Sequence, residues 1–192
     1  GSWPWSRAEI GRGLITLQEF QPRRILLDIE FSDQSPFLLQ RDSALPEQLL
    51  TAEGEERRAL VDQLFRDRDA YLSSVMEAVG HVHLPLVIDN RDEEAVRTVF
   101  PIPPIREAAA GLGFSNTIID PDGVTRRLPV LRNGESEAHP PLGLAFLGYS
   151  GEDVEIRNGF ALLTGGALEE PVELPLDRHD HFRIRWPEGR FS

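Results

Sequence analysis

The sequence predicts one α/β domain with a mixed β-sheet, in which parallel core strands are flanked by helices and an antiparallel hairpin is attached. Two apolar runs, Arg24–Phe31 and His81–Ile88, have the length and composition of buried strands. A helical pattern lies between them, which favours a parallel pair joined by a crossover. An Asp-Pro-Asp-Gly turn at residues 120–123 then separates Phe114–Ile119 from Val124–Leu131, two runs that favour extended backbone and predict the hairpin.

Length, charge and the lack of cysteine narrow the possible function classes. A chain of 192 residues is long enough to bury a core within one domain. The net charge of −12 argues against binding nucleic acid through its phosphates and against an anionic membrane surface, although acidity also serves solubility alone. Because there is no cysteine, disulfides, thiolate zinc sites and a cysteine nucleophile are excluded.

Gly1 and Ser2 are typical of a cloning scar, so the predicted domain covers residues 3–192. No apolar run approaches the about 20 residues that a membrane-spanning helix needs. We therefore expect the chain to be an excised piece of a longer protein, whose targeting and anchoring segments this sequence does not reveal.

The first helix is predicted over residues 7–20. Ser6 and Glu9 form the Ser-x-x-Glu capping box that satisfies free amides at a helix start, and Pro22 ends the helical pattern. In the strand that follows, Asp28 interrupts an apolar run, so its carboxylate must be paired, hydrogen-bonded or at the open end of the strand. Two roles stay open for Asp28: a structural one, capping a helix or holding a loop, and contact with a ligand.

Between the two apolar runs, the sequence predicts a long loop over residues 32–54 and a helical stripe from Glu55 to Gly80. The stripe breaks near residues 66–68, where Asp69 is placed to cap a second helical segment. Gly80 is a natural C-terminal stop. The strand His81–Ile88 follows directly.

After that strand, the loop Asp89–Pro104 carries Asn90 and three prolines. An Ala-rich segment then predicts a short helix over Ile105–Leu112, ended by Gly113. The predicted hairpin comes next.

The final third is predicted as β structure around one buried helix. Asn133-Gly134 mark a turn, and the helix extends from His139 to about Gly148. Four strands are expected after this helix: Val154–Ile156, Phe160–Leu163, Val172–Leu176 and Phe182–Trp186. Turns are expected at Gly165-Gly166 and at Asp177–Asp180.

Two His-x-His pairs are candidates for metal binding. His179 and His181 flank Asp180 and would place both rings on one face of a strand, but the segment falls where a turn is expected. His81 and His83 lie in a predicted buried strand and are interpreted as hydrogen-bonded structural histidines. Since no phosphate-binding Gly-rich loop, nucleophile elbow or paired-histidine protease motif occurs either, we predict no metal, no cofactor and no catalysis by this segment.

Arg126 and Arg127 follow the central turn. In an alternating strand they would point to opposite faces, so we expect one to pair with Asp120, Asp122 or Asp28 while the other stays in solvent. An anion-binding role also stays open, because a guanidinium matches the shape of a carboxylate.

A series of landmarks runs in order along almost the whole chain. They are Trp3-Pro4-Trp5 and Arg7, Asp28 and Phe31, Asp69, Leu84-Pro85, Gly111-x-Gly113-x-x-Asn116, Asp120-x-Asp122-Gly123-x-x-Arg126-Arg127-x-Pro129, Pro141-x-x-x-Ala145, Leu174-Pro175-Leu176 and the Arg183–Trp186 strand. Taken together they resemble a CHASE-type extracellular sensory domain, specifically of the second CHASE family. The resemblance weakens over residues 33–66.

The resemblance implies a location and a role. Domains of this family lie outside the cytoplasmic membrane of bacterial receptors, held by flanking transmembrane helices, and are joined to intracellular nucleotide cyclases, diguanylate cyclases or protein kinases. The resemblance therefore implies that this chain is an extracytoplasmic (periplasmic) domain that senses a small-molecule or environmental stimulus. The domain would control an intracellular output module, first of all a class III adenylate or guanylate cyclase. We expect a homodimer in the full-length receptor, no nucleic-acid partner, and membrane contact only through the flanking helices.

A ligand pocket is expected beyond the carboxyl ends of the parallel strands, the usual crevice of open α/β sheets. The candidate ligand-binding residues, chosen from polar residues at strand ends and from the family motifs, are Asp28, Asp69, Asn90, Asn116 and Arg126. Two rival interpretations stay open. One is an envelope dimerisation or protein-interaction module without a small-molecule ligand, and the other is an α/β enzyme such as a hydrolase, with a metal in a carboxylate-lined cleft.

Overall fold

Helices and β-strands are interspersed along the computed structural model, which describes residues 5–35, 53–55, 67–89, 96–166 and 170–184. The predicted α/β class is confirmed. The helices of these segments are α1 (Arg7–Gln18), α2 (Arg68–Val79), α3 (Pro103–Glu107) and α4 (Leu142–Phe146). Within the described ranges, no helix has the length and apolar character needed to cross a membrane.

Several predictions fall outside the described residues. They concern most of the long loop over 32–54, residues 56–66 of the helical stripe, and the individual residues Trp3, Pro4, Asn90 and Trp186.

The larger sheet has one long central strand. Its members are β1 (Ile25–Leu26), β2 (Val82–Asp89), β3 (Arg97–Val99) and β4 (Gly111–Phe114). β1 and β4 each pair with β2 in parallel, and β3 pairs with the end of β2 in antiparallel fashion. The remaining strands form smaller antiparallel sheets and are β5 (Arg127–Pro129), β6 (Arg132–Asn133), β7 (Ala138–His139), β8 (Val154–Arg157), β9 (Phe160–Leu163), β10 (Val172–Pro175) and β11 (His181–Arg183).

Helices α1 and α2 pack against each other and enclose one end of the core. The Ser6 hydroxyl accepts a hydrogen bond from the Glu9 N–H at 3.3 Å, and the Glu9 carboxylate accepts one from the Ser6 N–H at 2.8 Å. This confirms the predicted capping box. Buried Leu14 of α1 lies in the same apolar cluster as Leu72 and Met76 of α2, and removal of these side chains from water holds the two helices together.

The caps of α2 are Asp67 and Gly80. The Asp67 carboxylate accepts hydrogen bonds from the N–H groups of Asp69 and Ala70 at 2.9 and 3.1 Å, so Asp67 is the N-cap, and the expectation that Asp69 caps this helix is wrong. Gly80 has a φ of 76° and ends the helix as predicted. The Asp69 side chain is therefore available for contacts outside its own helix.

Pro85 limits the length of β1. The Leu27 N–H donates to the His83 carbonyl at 3.0 Å, but Pro85, the next residue of β2 that faces this edge, has no N–H to offer a neighbouring strand. The chain leaves the sheet at this point. The predicted strand Arg24–Phe31 is accordingly reduced to two residues, and Asp28 lies exposed beyond it.

The helix predicted over Ile105–Leu112 is present only at its start, where Ile105–Glu107 belong to α3. α3 ends at Glu107, and the backbone is extended as β4 from Gly111 onward. A Cβ atom on Gly113 would lie 2.6 Å from the Leu142 Cα, so only glycine allows β4 to approach α4 this closely. Pairing with β2 and packing against α4 therefore override the helical preference of the Ala-rich run.

The central turn forms as predicted, but the strands beside it do not pair with each other as a hairpin. Gly123, with a φ of 81°, donates its N–H to the Asp120 carbonyl at 2.8 Å and closes the turn. Beyond the turn, the two sides meet at an isolated bridge between Ile118 and Arg127. β4 ends at Phe114 and pairs with β2, and β5 pairs with β11.

The final third contains the four strands predicted after the helix, but the helix is shorter than predicted, because His139 lies in β7 and α4 covers only Leu142–Phe146. β8, β9 and β10 form one antiparallel sheet, and Gly148 follows α4 with a φ of 88°. A second apolar cluster with buried Val130, Tyr149, Ala161 and Leu163 lies beneath these strands. Gly165 and Gly166 have φ values of 85° and 67°, consistent with the turn expected there.

Candidate functional site

Asp69 and Arg7 form an ion pair at the N-terminal ends of α2 and α1, and the side chain of each is 11% exposed. The second Asp69 oxygen accepts a hydrogen bond from the Ser35 N–H at 2.9 Å, and Arg7 also donates to the Asp33 carbonyl. The Arg7 guanidinium lies over the Phe31 ring, 5.5 Å from its centroid. These contacts, which we call the helix-end cluster (Arg7, Asp33, Ser35 and Asp69), tie both helices to the segment that follows β1.

A second group of charges, the turn cluster, consists of Asp120, Asp122, Arg126 and Arg127. Arg126 donates two hydrogen bonds to the Asp122 carboxylate, at 2.8 and 2.7 Å, and contacts Asp120 at 3.3 Å. Arg127 binds the other Asp120 oxygen at 2.7 Å. The hydrogen bonds from Arg126 lower the pKa of Asp122 from 3.8 to about 2.

The turn cluster confirms the expected ion pairing but not the expected orientation. Both arginines contact Asp120, so the prediction that one of them stays in solvent is wrong. The reason is that Arg126 precedes β5, and strand alternation therefore does not apply to it. Arg127 in addition lies 3.7 Å from Asp177.

The Asn116 side chain provides a hydrogen-bond acceptor to β2 at the point where β4 has ended. The Ser115 N–H still donates to the Leu86 carbonyl at 3.0 Å, and the Asn116 side-chain oxygen then accepts the Ile88 N–H at 2.8 Å. Because β4 has ended, this N–H would otherwise lack a partner in the sheet. In this structure Asn116 stabilises the end of the larger sheet.

The predicted site residues do not bind one another. Among the described residues, no hydrogen bond or ion pair joins any two of Asp28, Asp69, Asn116 and Arg126. Asp28 is exposed, and Asn90 lies outside the described ranges. Three of these side chains are used in structural contacts, and binding of a ligand by any of the five stays a prediction.

The histidine pairs occupy different environments. The Asp177 carboxylate accepts the N–H groups of His179 and His181 at 2.8 and 3.1 Å, which makes this segment a turn, and in the described part of the chain no cluster of three or more His, Asp or Glu is placed to hold a metal ion. His83 is buried, which lowers its pKa, and its Nδ1 lies 3.3 Å from the His81 carbonyl. The His81 Nε2 is buried without a hydrogen-bond partner among the described residues, so the interpretation of His81 as a hydrogen-bonded structural histidine is wrong for its ring, although its carbonyl accepts the Ile25 N–H at 3.0 Å.

The structure also contains a cleft that the sequence did not indicate. It has a volume of about 530 Å³ and is lined by Ser32, the segment Phe100–Pro103, Arg106 and Glu107. The Ile102 N–H donates to the Phe31 carbonyl at 2.8 Å, which joins the two walls at the base of the cleft. The prolines after Asp89 are the sequence feature that could have indicated this cleft, because their fixed φ angles make the backbone of its wall rigid and irregular.

Phe100 organises the charged side of the cleft. The Arg106 guanidinium lies 3.9 Å from the centroid of the Phe100 ring, and the His139 ring contacts the same phenyl ring edge-on at 5.7 Å. His139 is buried, and both this burial and the nearby Arg106 lower its pKa, opposed by Glu137. Within the described ranges, Arg106 makes no ion pair. The cleft therefore presents an exposed guanidinium, stacked on Phe100, beside an apolar wall.

Comparison with known proteins gives one match. The family model of the CHASE2 domain matches residues 1–191, which is nearly the whole chain. No curated protein and no solved structure matches the chain.

Proposed function

The chain belongs to the CHASE2 family of extracellular sensory domains of signalling receptors, and from this premise we propose that it binds a small molecule outside the cytoplasm and thereby regulates an intracellular output module. The observation that carries the proposal is the length of the match, residues 1–191, which leaves almost no part of the chain for another activity. A ligand regulates such a receptor only if it binds two of its states unequally.

The cleft beside Arg106 is the ligand site that this proposal favours. Its volume of about 530 Å³ lies within the range of about 300–1,000 Å³ that is usual for small-molecule sites. Its lining is mainly apolar, with a few polar groups that can fix the orientation of a ligand. The predicted crevice with Asp28, Asn116 and Arg126 is the alternative location.

For the output module we propose a class III adenylate or guanylate cyclase, in a homodimeric receptor anchored by membrane helices on either side of this domain. Exposed apolar side chains near α1 support a dimer: Trp5, Ile15 and Phe20 are 55%, 52% and 78% exposed. The same side chains favour the second candidate function, an envelope interaction module that binds no small molecule.

A thermal-shift screen of this chain against amino acids, organic acids, sugars, nucleotides and metal ions tests the proposal. A saturable rise in the melting temperature identifies a ligand, because binding to the folded state stabilises it. The same compound should then change the rate of nucleotide cyclisation by the full-length receptor. Concentration-dependent dimerisation in sedimentation experiments, with no compound raising the melting temperature, would instead support the interaction module.

A further inference from the structure

We propose that the cleft binds a small organic monocarboxylate with an apolar body, and that Arg106 holds its carboxylate group. This inference rests on the proposed ligand-sensing function and assigns the chemical class of the ligand. Each part of the assignment follows from a different wall of the cleft.

The apolar part of the ligand is specified by the segment Phe100–Pro103. Two of its four residues are prolines, and the Ile102 N–H is bonded to the Phe31 carbonyl, so the backbone is held in one conformation. Ile105, directly beneath, is completely buried and supports the wall from inside. A wall that is rigid before binding loses little conformational freedom when the ligand arrives.

The carboxylate is specified by Arg106. Stacking on Phe100 at 3.9 Å engages the face of the guanidinium and leaves its N–H groups, which lie in the plane, for a partner. Two parallel N–H···O bonds to a carboxylate fit this geometry. Arg157 provides a contrast, since it also lies over a phenylalanine ring, at 6.0 Å, but its N–H groups already bind Glu155 at 2.9 and 3.0 Å.

The single negative charge of the ligand is specified by Glu107. This carboxylate lines the cleft next to Arg106 and repels a second negative charge, so a phosphate or a dicarboxylate is disfavoured. The Glu107 carboxylate is compatible with an ammonium group on the ligand, so the proposed class includes apolar amino acids. The Ser32 hydroxyl on the opposite wall can donate to or accept from either group.

Isothermal titration calorimetry of the 192-residue chain tests the assignment, with 4-methylvalerate, phenylacetate, leucine and phenylalanine as probes. Each probe is compared with its primary amide, which has the same shape but no negative charge. We expect at least one carboxylate to bind saturably and its amide to bind at least about tenfold more weakly, since a hydrogen bond to a charged group contributes more than a neutral one.

Substitutions locate the binding. Arg106→Gln should lower the affinity for the carboxylate by at least about tenfold. Arg106→Lys should restore only part of this affinity, because the bidentate geometry is lost. The matched control is Arg157→Gln, which removes another ring-stacked arginine outside the cleft and should leave the affinity unchanged. Circular dichroism verifies that each variant is folded.

The proposal is overturned if no carboxylate binds at concentrations of about 10 mM, if amides bind as well as acids, or if Arg106→Gln binds like the unsubstituted protein. A compound of another class that binds and activates the full-length receptor would refute the carboxylate assignment while leaving ligand sensing intact. A receptor whose output responds to no compound in the wider screen would instead refute the proposed function.

Discussion

The helix-end cluster and the turn cluster use the same chemistry in two different environments. In the helix-end cluster, the side chains of Arg7 and Asp69 are 11% exposed, and they join α1, α2 and the segment after β1. In the turn cluster, Arg126 and Asp122 are 40% and 55% exposed and are only four residues apart in the chain. An arginine–aspartate pair is therefore not informative about function by itself, because burial and the number of segments joined decide what it does.

The first prediction sets the two clusters against each other directly. Asp69→Ala should lower the free energy of unfolding by about 3 kcal/mol, because it leaves the largely buried Arg7 guanidinium without its carboxylate partner and frees the Ser35 N–H. Asp122→Ala removes an exposed contact between residues that are only four positions apart in the chain, and it should lower the free energy of unfolding far less than Asp69→Ala does. Urea unfolding, followed by circular dichroism, measures both variants.

Equal losses in the two variants would show that burial does not distinguish the clusters. A loss at Asp122 larger than at Asp69 would show that the turn, rather than the helix ends, limits the stability of the domain.

The second prediction concerns salt. Raising the ionic strength to about 1 M should abolish most of the stability difference between Asp122→Ala and the unsubstituted protein, since exposed charges are screened over about 3 Å at that concentration. The difference for Asp69→Ala should largely persist, because water and ions reach that pair poorly. Unfolding midpoints at low and high salt give this comparison, and a persistent effect at Asp122 would contradict it.

The third and smallest effect is a pH dependence confined to the turn cluster. The pKa of Asp122 is lowered in the folded state from 3.8 to about 2, so its ionised form stabilises the fold. This contribution is complete above pH 3.8 and is lost as the pH falls through about 2. The acid unfolding curve of Asp122→Asn should consequently be shallower over this interval than that of the unsubstituted protein.

Parallel curves for the two proteins would show that Asp122 is not stabilised by Arg126 in solution. Carboxylates that do not share Arg126, such as Asp153 with its pKa lowered by hydrogen bonds from Ser150, titrate in both proteins and therefore cancel in this comparison.

The sequence predicted those features that depend on neighbours along the chain. The Ser6–Glu9 capping box, the stop at Gly80 and the turn closed by Gly123 each depend on a few consecutive residues, and each is present. The four strands β8 to β11 were predictable for the same reason, whereas β6 and β7 were not predicted.

Features that depend on distant contacts were not predictable from local patterns. The residues Gly111–Phe114 form a strand because β2 and α4 accept their backbone closely, and nothing in the preceding alanines signals this. Similarly, the walls of the cleft come from the segments after β1 and after β3, which no short motif connects. Asn116 was noticed as a polar residue at a strand end, but its use as a backbone acceptor for Ile88 depends on where β4 stops.

Phe31 contacts both the cleft and the helix-end cluster. Its carbonyl accepts the Ile102 N–H in one wall of the cleft, its neighbour Ser32 lines that cleft, and its ring lies beneath Arg7 at the first turn of α1. Coupling between two sites is reciprocal, so a ligand that shifts this segment alters the Arg7 contacts by the same free energy with which Arg7 substitutions alter ligand affinity. Phe31 thus connects the cleft to the first helix, through its backbone carbonyl on one side and its ring on the other.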